Sequence, residues 1–282
     1  MPLCKQVTIV GLGLMGGSLG MALRRRRLAG RVVGLSRTTA TVRRATQRGA
    51  IDRGTTNAAD AVRDADIVVL AMPIDAIVPS ALRLARLMRP GSILTDLGST
   101  KREIVSALQR RLPTTIRFVG AHPLAGSEAR GIDAARADLF DGSVCVVTPT
   151  PKTDAAALRM ITRLWTPLVR RVVRMDPRTH DRLLAEASHL PHALAFCLVH
   201  AASPSARAIA PRSFLQATRV AKSDPDLWDD IFLSNRAAVV AAMNQFERRS
   251  KELRALMTRG DARVLRKWLA HAQHLRQALH DA

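Results

Sequence analysis

The segment Gly11-Leu12-Gly13-Leu14-Met15-Gly16 constrains the fold more than any other part of the chain. It follows a short β-branched run at residues 7–10, the pattern of a strand buried on both faces, and it precedes a helical stretch reaching about residue 28. Strand, glycine turn and helix in that order is the context in which G-x-G-x-x-G binds a dinucleotide. The first glycine permits the tight turn, the second lets pyrophosphate approach the backbone, and the third lets helix pack on strand. The helix N-terminus then faces the anion. Gly11, Gly13, Leu14, Met15 and Gly16 are therefore candidate cofactor contacts.

The second strand, at residues 32–35, bears on which dinucleotide binds. An NAD site carries Asp or Glu at its end to bind the ribose 2′-hydroxyl. Here the strand ends Gly34-Leu35-Ser36-Arg37-Thr38, which offers a hydroxyl, a guanidinium and another hydroxyl. Arg37 suits a 2′-phosphate by charge and by its forked geometry. NADP is expected in preference to NAD, with NAD possible should Arg37 be a solvated surface residue.

Further apolar runs at residues 67–72, 92–97, 117–121 and 144–148 alternate with helical stretches such as 76–88 and 101–111. Alternation of this kind implies an α/β fold with a mostly parallel, doubly wound sheet. Met72 and Pro73, where the third run stops, join Ser36, Arg37 and Thr38 among the candidate cofactor contacts. After Thr148-Pro149-Thr150-Pro151, one helix (154–164) and one apolar run (169–173) complete a Rossmann-type domain at residues 1–174. From Asp176 onward the pattern is helical: Asp176-Pro177 opens a long helix to residue 202, and others follow at 214–220, 227–251 and 263–279. Residues 175–282 thus read as an all-helical domain whose apolar stripes pack on themselves or on a second copy. There is no internal repeat, and no separate regulatory domain is expected after the last helix.

A formal charge of +21 raises the question of nucleic acid. The basic residues are spread along the chain, arginine greatly outnumbers lysine, aromatics are only 3% and tyrosine is absent. Stacking aromatics or a recognition motif would accompany a dedicated nucleic-acid surface. The charge is read instead as a surface that also attracts an anionic cofactor and substrate. No apolar run spans a bilayer and no signal peptide is evident, so no membrane partner is expected. Cys4, Cys145 and Cys197 are odd in number and far apart, which favours free thiols and a cytoplasmic location.

Four segments outside the fingerprint carry unusual polar combinations: Asp96-Leu97-Gly98-Ser99-Thr100-Lys101, Gly120-Ala121-His122-Pro123-Leu124-Ala125-Gly126-Ser127-Glu128, Ser188-His189-Leu190-Pro191-His192-Ala193 and Thr218-Arg219-Val220-Ala221-Lys222-Ser223-Asp224-Pro225. The first two follow expected strands, at the sheet edge where a cofactor lies. With the fingerprint, these segments closely resemble the prephenate and arogenate dehydrogenase family, over nearly the whole chain and in the right order. Gly-x-His-Pro-x-x-Gly and Ser-His-Leu-Pro-His are the most specific to it.

The resemblance implies hydride transfer from C4 of prephenate to nicotinamide, loss of CO2 and an aromatic product. His122 matches the catalytic histidine that takes the hydroxyl proton, the natural task of a neutral imidazole. Ser99 matches the serine that orients it and the nicotinamide, and it equally suits a helix N-cap. Arg219 matches an arginine that binds a substrate carboxylate. His192 matches a second substrate-contacting histidine, with a buried structural role as the alternative. Ser127 and Glu128 match positions beside the substrate entrance, and Trp228 one near the domain and subunit junction. A homodimer is implied through the helical half. His189 and His192 are three apart on one helix, but no further ligand cluster completes a metal site, and none is expected.

One stretch departs from the family. Where members often have glycines and an acid shortly before the arginine, this chain reads Pro211-Arg212-Ser213-Phe214-Leu215-Gln216. A missing carboxylate favours prephenate, a keto acid, over arogenate, which carries an ammonium group. Arogenate or dual cyclohexadienyl specificity is the first alternative. A β-hydroxyacid dehydrogenase or imine reductase is more distant, because those families use a lysine or aspartate where His189 and His192 stand. A non-catalytic nucleotide or nucleic-acid binder is the remaining rival.

Overall fold

The computed structural model describes residues 1–127 and 129–280. Its strands are β1 (Cys4–Val10), β2 (Ala29–Leu35), β3 (Arg53–Thr55), β4 (Ile67–Leu70), β5 (Ile93–Asp96), β6 (Arg117–Pro123), β7 (Val144–Thr148) and β8 (Arg171–Arg174). They form one sheet in the order β3-β2-β1-β4-β5-β6-β7-β8. All pairs are parallel except β6 with β7. Parallel strands covered on both faces need apolar residues on both, and β1 and β4 are buried almost end to end.

Helices α1 (Leu14–Arg25), α2 (Thr39–Gln47), α3 (Ala58–Val62), α4 (Ile74–Ala85), α5 (Arg102–Arg111) and α6 (Ala155–Trp165) cover the two faces. One apolar layer gathers Leu19 and Leu23 of α1 with Ile161 and Trp165 of α6. The other gathers Ile77 and Leu84 of α4 with Ile104 and Leu108 of α5. The order reverses between β1 and β4, so their connections leave on opposite faces and open a crevice at the carboxyl edge. The sequence pattern ends β6 at residue 121. Pairing of His122 with Val146 and of Pro123 with Cys145 carries the strand further, so His122 is held by the sheet rather than by a loop.

The helices after the sheet are shorter than their apolar patterns suggest. The single helix expected from Asp176 to residue 202 is α7 (Pro177–Leu184), a π-helical turn (Ala185–His189) and α8 (Leu190–Ala201). Pro191 supplies no N–H and its ring crowds the carbonyl of Ala187, and a wide turn absorbs that misfit. Past α9 (Pro204–Ala208) and α10 (Arg212–Ala217), Arg219–Lys222 form a 3-10 turn. The helix expected at residues 227–251 is broken into α11 (Pro225–Ser234) and α12 (Arg236–Arg259). The break falls at Asn235, whose buried side-chain amide bonds to the Asp181 carbonyl at 2.7 Å. The last helix is α13 (Ala262–Gln277), capped by Asp261.

The chain divides into compact units at Met1–Arg236 and Ala237–Ala282. Strands give way to helices after Arg174, where the pattern changes. The division into units comes later, because α7 packs on α5 and β7, and α11 packs on α4. No helix among the described residues is long and apolar enough to cross a membrane.

Asp96, the last residue of β5, ties the carboxyl edge together. It is fully buried and accepts from the Gly98 N–H at 2.9 Å and the Ala121 N–H at 3.4 Å. It also pairs with the ammonium of Lys101, itself wholly buried at the start of α5. This pair joins the end of β5 to β6 and to α5, and so places Ser99 and His122. A buried charge that loses its partner costs about 3–5 kcal/mol. Lys101→Met should therefore lower the stability by an amount in that range, read from the midpoint of chemical denaturation. An unchanged midpoint would show that the pair does not organise this edge.

Candidate active site

The glycine turn fits a dinucleotide for reasons visible atom by atom. Gly11 holds φ +98°, and a Cβ there would run into the Ala71 carbonyl. A Cβ on Gly16 would strike the Gly11 carbonyl oxygen, so α1 could not lie so close to β1. Gly13 begins α1 with no capping side chain and no acid in the first turn, which leaves the helix N-terminus and the amides of Leu14 and Met15 for an anion. Met72 and Pro73 lie after β4, beside this turn in the sheet order, and Pro73 opens α4. Ser36, Arg37 and Thr38 follow β2, on the other side of β1. Arg37 is exposed, whereas the Thr38 hydroxyl caps α2 by accepting the Thr41 N–H at 3.2 Å.

Ser99, His122, Ser127, His192 and Arg219 line one cavity of about 470 Å³. The sequence motifs that carry them come from β6, α8, the 3-10 turn and the connections after β5 and β6, and the fold brings all five together. Glu128 lies outside the described residues. Trp228, on α11, is a wall of the same cavity, its ring stacked on that of His192 with centroids 3.6 Å apart. The His192 Nδ1–H donates to the Ser188 carbonyl at 2.9 Å. Leu184 and Ile231 add apolar surface.

Ser99 does not cap α5. Asp181 of α7 caps it from outside, accepting the N–H of Lys101 at 2.7 Å and of Arg102 at 2.9 Å. A carboxylate at a helix N-terminus also meets the positive end of the helix dipole. Ser99 thus keeps its hydroxyl for the cavity wall.

Asp181 also begins a chain of hydrogen bonds that sets the protonation of His122. His180 Nδ1 lies 2.7 Å from Asp181 Oδ1, and His180 Nε2 lies 2.9 Å from His122 Nδ1. The carboxylate can only accept, so His180 carries its proton on Nδ1 and offers a bare Nε2. That nitrogen accepts from His122 Nδ1–H. A neutral His122 therefore has its lone pair on Nε2, the ring nitrogen left for the cavity. Burial holds the His122 pKa well below its usual 6.5, reinforced by His180, Lys101 and His189. His180 is lowered as well, chiefly by burial, although Asp181 opposes it. The cavity therefore contains a neutral imidazole that accepts a hydrogen bond through a preset nitrogen. His180 and Asp181 escape the motif reading. Their signal is a polar pair on the inward face of α7, buried with Leu184 where an amphipathic helix places apolar residues.

Residues 19–174 match the family description "Prephenate dehydrogenase, nucleotide-binding domain", and residues 176–271 match "Prephenate dehydrogenase, dimerization domain". The chain is 36% identical to a cyclohexadienyl dehydrogenase of Zymomonas mobilis, over 99% of this chain and 97% of that protein. It resembles the crystal structure of prephenate dehydrogenase from A. aeolicus in complex with hydroxyphenyl propionate and NAD+, with TM-score 0.90, 34% identity and 98% of each chain covered. A Synechocystis arogenate dehydrogenase structure aligns with TM-score 0.85 and 28% identity, covering 97% of this chain and 99% of that one.

Asp181→Asn tests the hydrogen-bond chain. An amide can donate to His180 and reverse both tautomers, so kcat should fall by about 10²-fold or more while the KM for the dinucleotide stays the same. A kcat near that of the unmodified protein would separate Asp181 from the chemistry.

Proposed function

We propose that this chain, which belongs to the prephenate dehydrogenase family, converts prephenate to 4-hydroxyphenylpyruvate and CO2 with reduction of NADP. The observation that supports this most is the cavity that His122, its Nε2 preset as an acceptor, lines together with Ser99, Arg219 and His192. Nicotinamide, when bound on that turn, supplies the acceptor for the C4 hydride. His122 Nε2 receives the C4 hydroxyl hydrogen. As hydride leaves, that hydroxyl becomes a protonated ketone and strongly acidic, so a base of depressed pKa is strong enough. The Asp181 carboxylate, two hydrogen bonds away, stabilises the imidazolium that results. Loss of the ring carboxylate as CO2 sends electrons to the C4 oxygen, and His122 returns the proton to complete the phenol. No net proton is consumed.

Arg219 is the group to pair with a substrate carboxylate, and His192, stacked on Trp228, lines the same cavity. Trp228, Leu184 and Ile231 exclude water around the ring that aromatises. Ser99, on the wall of the same cavity, is the hydroxyl to orient the nicotinamide beside His122. Gln216 stands where an acid would favour an ammonium group, which supports prephenate over arogenate. Arogenate remains the second substrate to test, given the Zymomonas and Synechocystis relatives. Ser36, Arg37 and Thr38, with no carboxylate after β2, support NADP over NAD.

The active form is a homodimer built on the helical half, which matches a dimerisation domain. Val240, Phe246 and Leu269 each expose 41–50% of their surface in the single chain, as helices that pair with a second copy do.

Nicotinamide reduction measured with prephenate or arogenate against NAD or NADP tests this directly. Prephenate with NADP should give the highest kcat/KM, and turnover of neither substrate would overturn the reading. Arg219→Ala should raise the KM for prephenate by about 10-fold or more, the loss of a charge-assisted contact, with a smaller change in kcat. An unchanged KM would place Arg219 outside substrate binding.

A further inference from the structure

His189 occupies the same cavity as His122 but enters it from the π-helical turn, only 1% exposed, with its ring edge toward Trp228 at 6.0 Å. Its Nδ1 lies 3.2 Å from Asn235 Nδ2. An amide looks alike from both ends, but here its orientation is fixed. The same Asn235 Nδ2 lies 2.7 Å from the Asp181 carbonyl oxygen, which can only accept, so this end of the amide is the NH2. His189 Nδ1 must then accept the second amide hydrogen, and the ring proton sits on Nε2. The buried side-chain nitrogens and oxygens lacking a partner are Thr95 Oγ1 and Trp165 Nε1 among the described residues. His189 Nε2 is not one of these, the hydrogen-bonded group beside the ring among the described residues reaches only its Nδ1, and the ring lines the cavity, so Nε2 is the nitrogen a ligand there would meet.

We propose that His189 is a further substrate-binding residue, a neutral imidazole whose Nε2–H donates to a carboxylate oxygen of the substrate, and that Asn235 is the positioning residue that sets this tautomer. The proposal rests on the assignment of an anionic cyclohexadiene substrate made above. Two of the three imidazoles that line the cavity are then set by one residue in opposite senses. The Asp181 side chain, through His180, makes His122 an acceptor. The Asp181 backbone carbonyl, through Asn235, makes His189 a donor.

The groups facing His189 are Asp181 and His180 on α7, His122 on β6, His192 on α8 and Arg219 across the cavity. Burial is the largest influence and holds the His189 pKa down at about 4, with Asp181 opposing and His180 and His192 adding to the depression. It stays neutral through the physiological range. Neutrality matters for a reaction in which a carboxylate leaves as uncharged CO2. A full positive charge beside that group would stabilise the substrate more than the transition state, whereas a neutral donor orients it at less cost to the rate. An arginine or lysine at this position would bind more tightly and turn over more slowly.

Three variants and one spectrum test this. His189→Leu removes the donor and should raise the KM for prephenate by about 10- to 100-fold, the weight of one hydrogen bond to a charged group. His189→Gln puts an amide N–H near the former Nε2 and should recover most of that loss. Asn235→Asp cannot donate to Nδ1. It transfers the ring proton there, and neutral His189 then turns a bare nitrogen to the substrate. The ratio of the Asn235→Asp KM to the native KM should be large at pH 8 and shrink as the pH falls and Nε2–H returns on the imidazolium. A ratio independent of pH, or a His189→Gln enzyme no better than His189→Leu, would overturn the proposal. In the native protein labelled with 15N-histidine, the His189 resonances, identified by their loss in His189→Gln, should report a neutral ring protonated on Nε2. An Nδ1–H tautomer or a charged ring would overturn it whatever the variants do. That spectrum needs no substrate, so it stands apart from the case in which the native enzyme turns over neither prephenate nor arogenate.

Discussion

One carboxylate, that of Asp181, organises the chemistry of this cavity. It accepts two backbone N–H groups at the start of α5 and the Nδ1–H of His180, all between 2.7 and 2.9 Å. These bonds anchor α7 to the edge of the sheet. They also place a negative charge two hydrogen bonds from the His122 ring. Because the carboxylate can only accept, each ring nitrogen down the chain has a determined role. A buried histidine without that constraint could adopt either tautomer at little cost, and half of its population would point a proton at the substrate hydroxyl.

Burial shapes the site as strongly as charge does. His122, His180 and His189 are all driven toward the neutral form first by loss of water, reinforced by neighbouring groups at His122 and opposed by Asp181 at His180 and His189. The protein makes neutral imidazoles by desolvation and uses hydrogen bonds to choose which nitrogen carries the proton. The full charges near the edge are differently arranged. Lys101 is sealed against Asp96 and serves the fold, whereas Arg219 lines the cavity. The +21 charge of the whole chain adds a long-range attraction for dianionic ligands.

Much of this was legible in the amino-acid order. The glycine turn announced the sheet edge, and the His-Pro, Ser-His-Leu-Pro-His and Thr-Arg segments named residues that meet in one cavity. Apolar periodicity found most of the sheet, although it missed β3, which spans only Arg53–Thr55, and stopped β6 short of His122. Strand ends depend on pairing partners that no local pattern contains. Helix breaks at the π turn and at Asn235 were hidden for a related reason, since the apolar pattern runs through them and only long-range bonds explain them. The chain from His122 to Asp181 was the least visible part. Its members lie 58 residues apart at the first link, and Asp181 reaches 80 residues back to Lys101. Nothing in local spacing marks a histidine on a helix as the partner of one on a strand.

The rate of NADPH formation in a single turnover, followed from pH 5 to pH 8.5 with enzyme in excess over prephenate, tests the central claim most directly. A neutral His122 held below its usual pKa must lose its activity only as the pH falls through that lowered value. The account therefore predicts a rate that rises from the acid side and is already level by about pH 6.5. A rate that declines as the pH climbs through 6.5 would mean that the reacting form of the enzyme carries a protonated imidazole, and would contradict it.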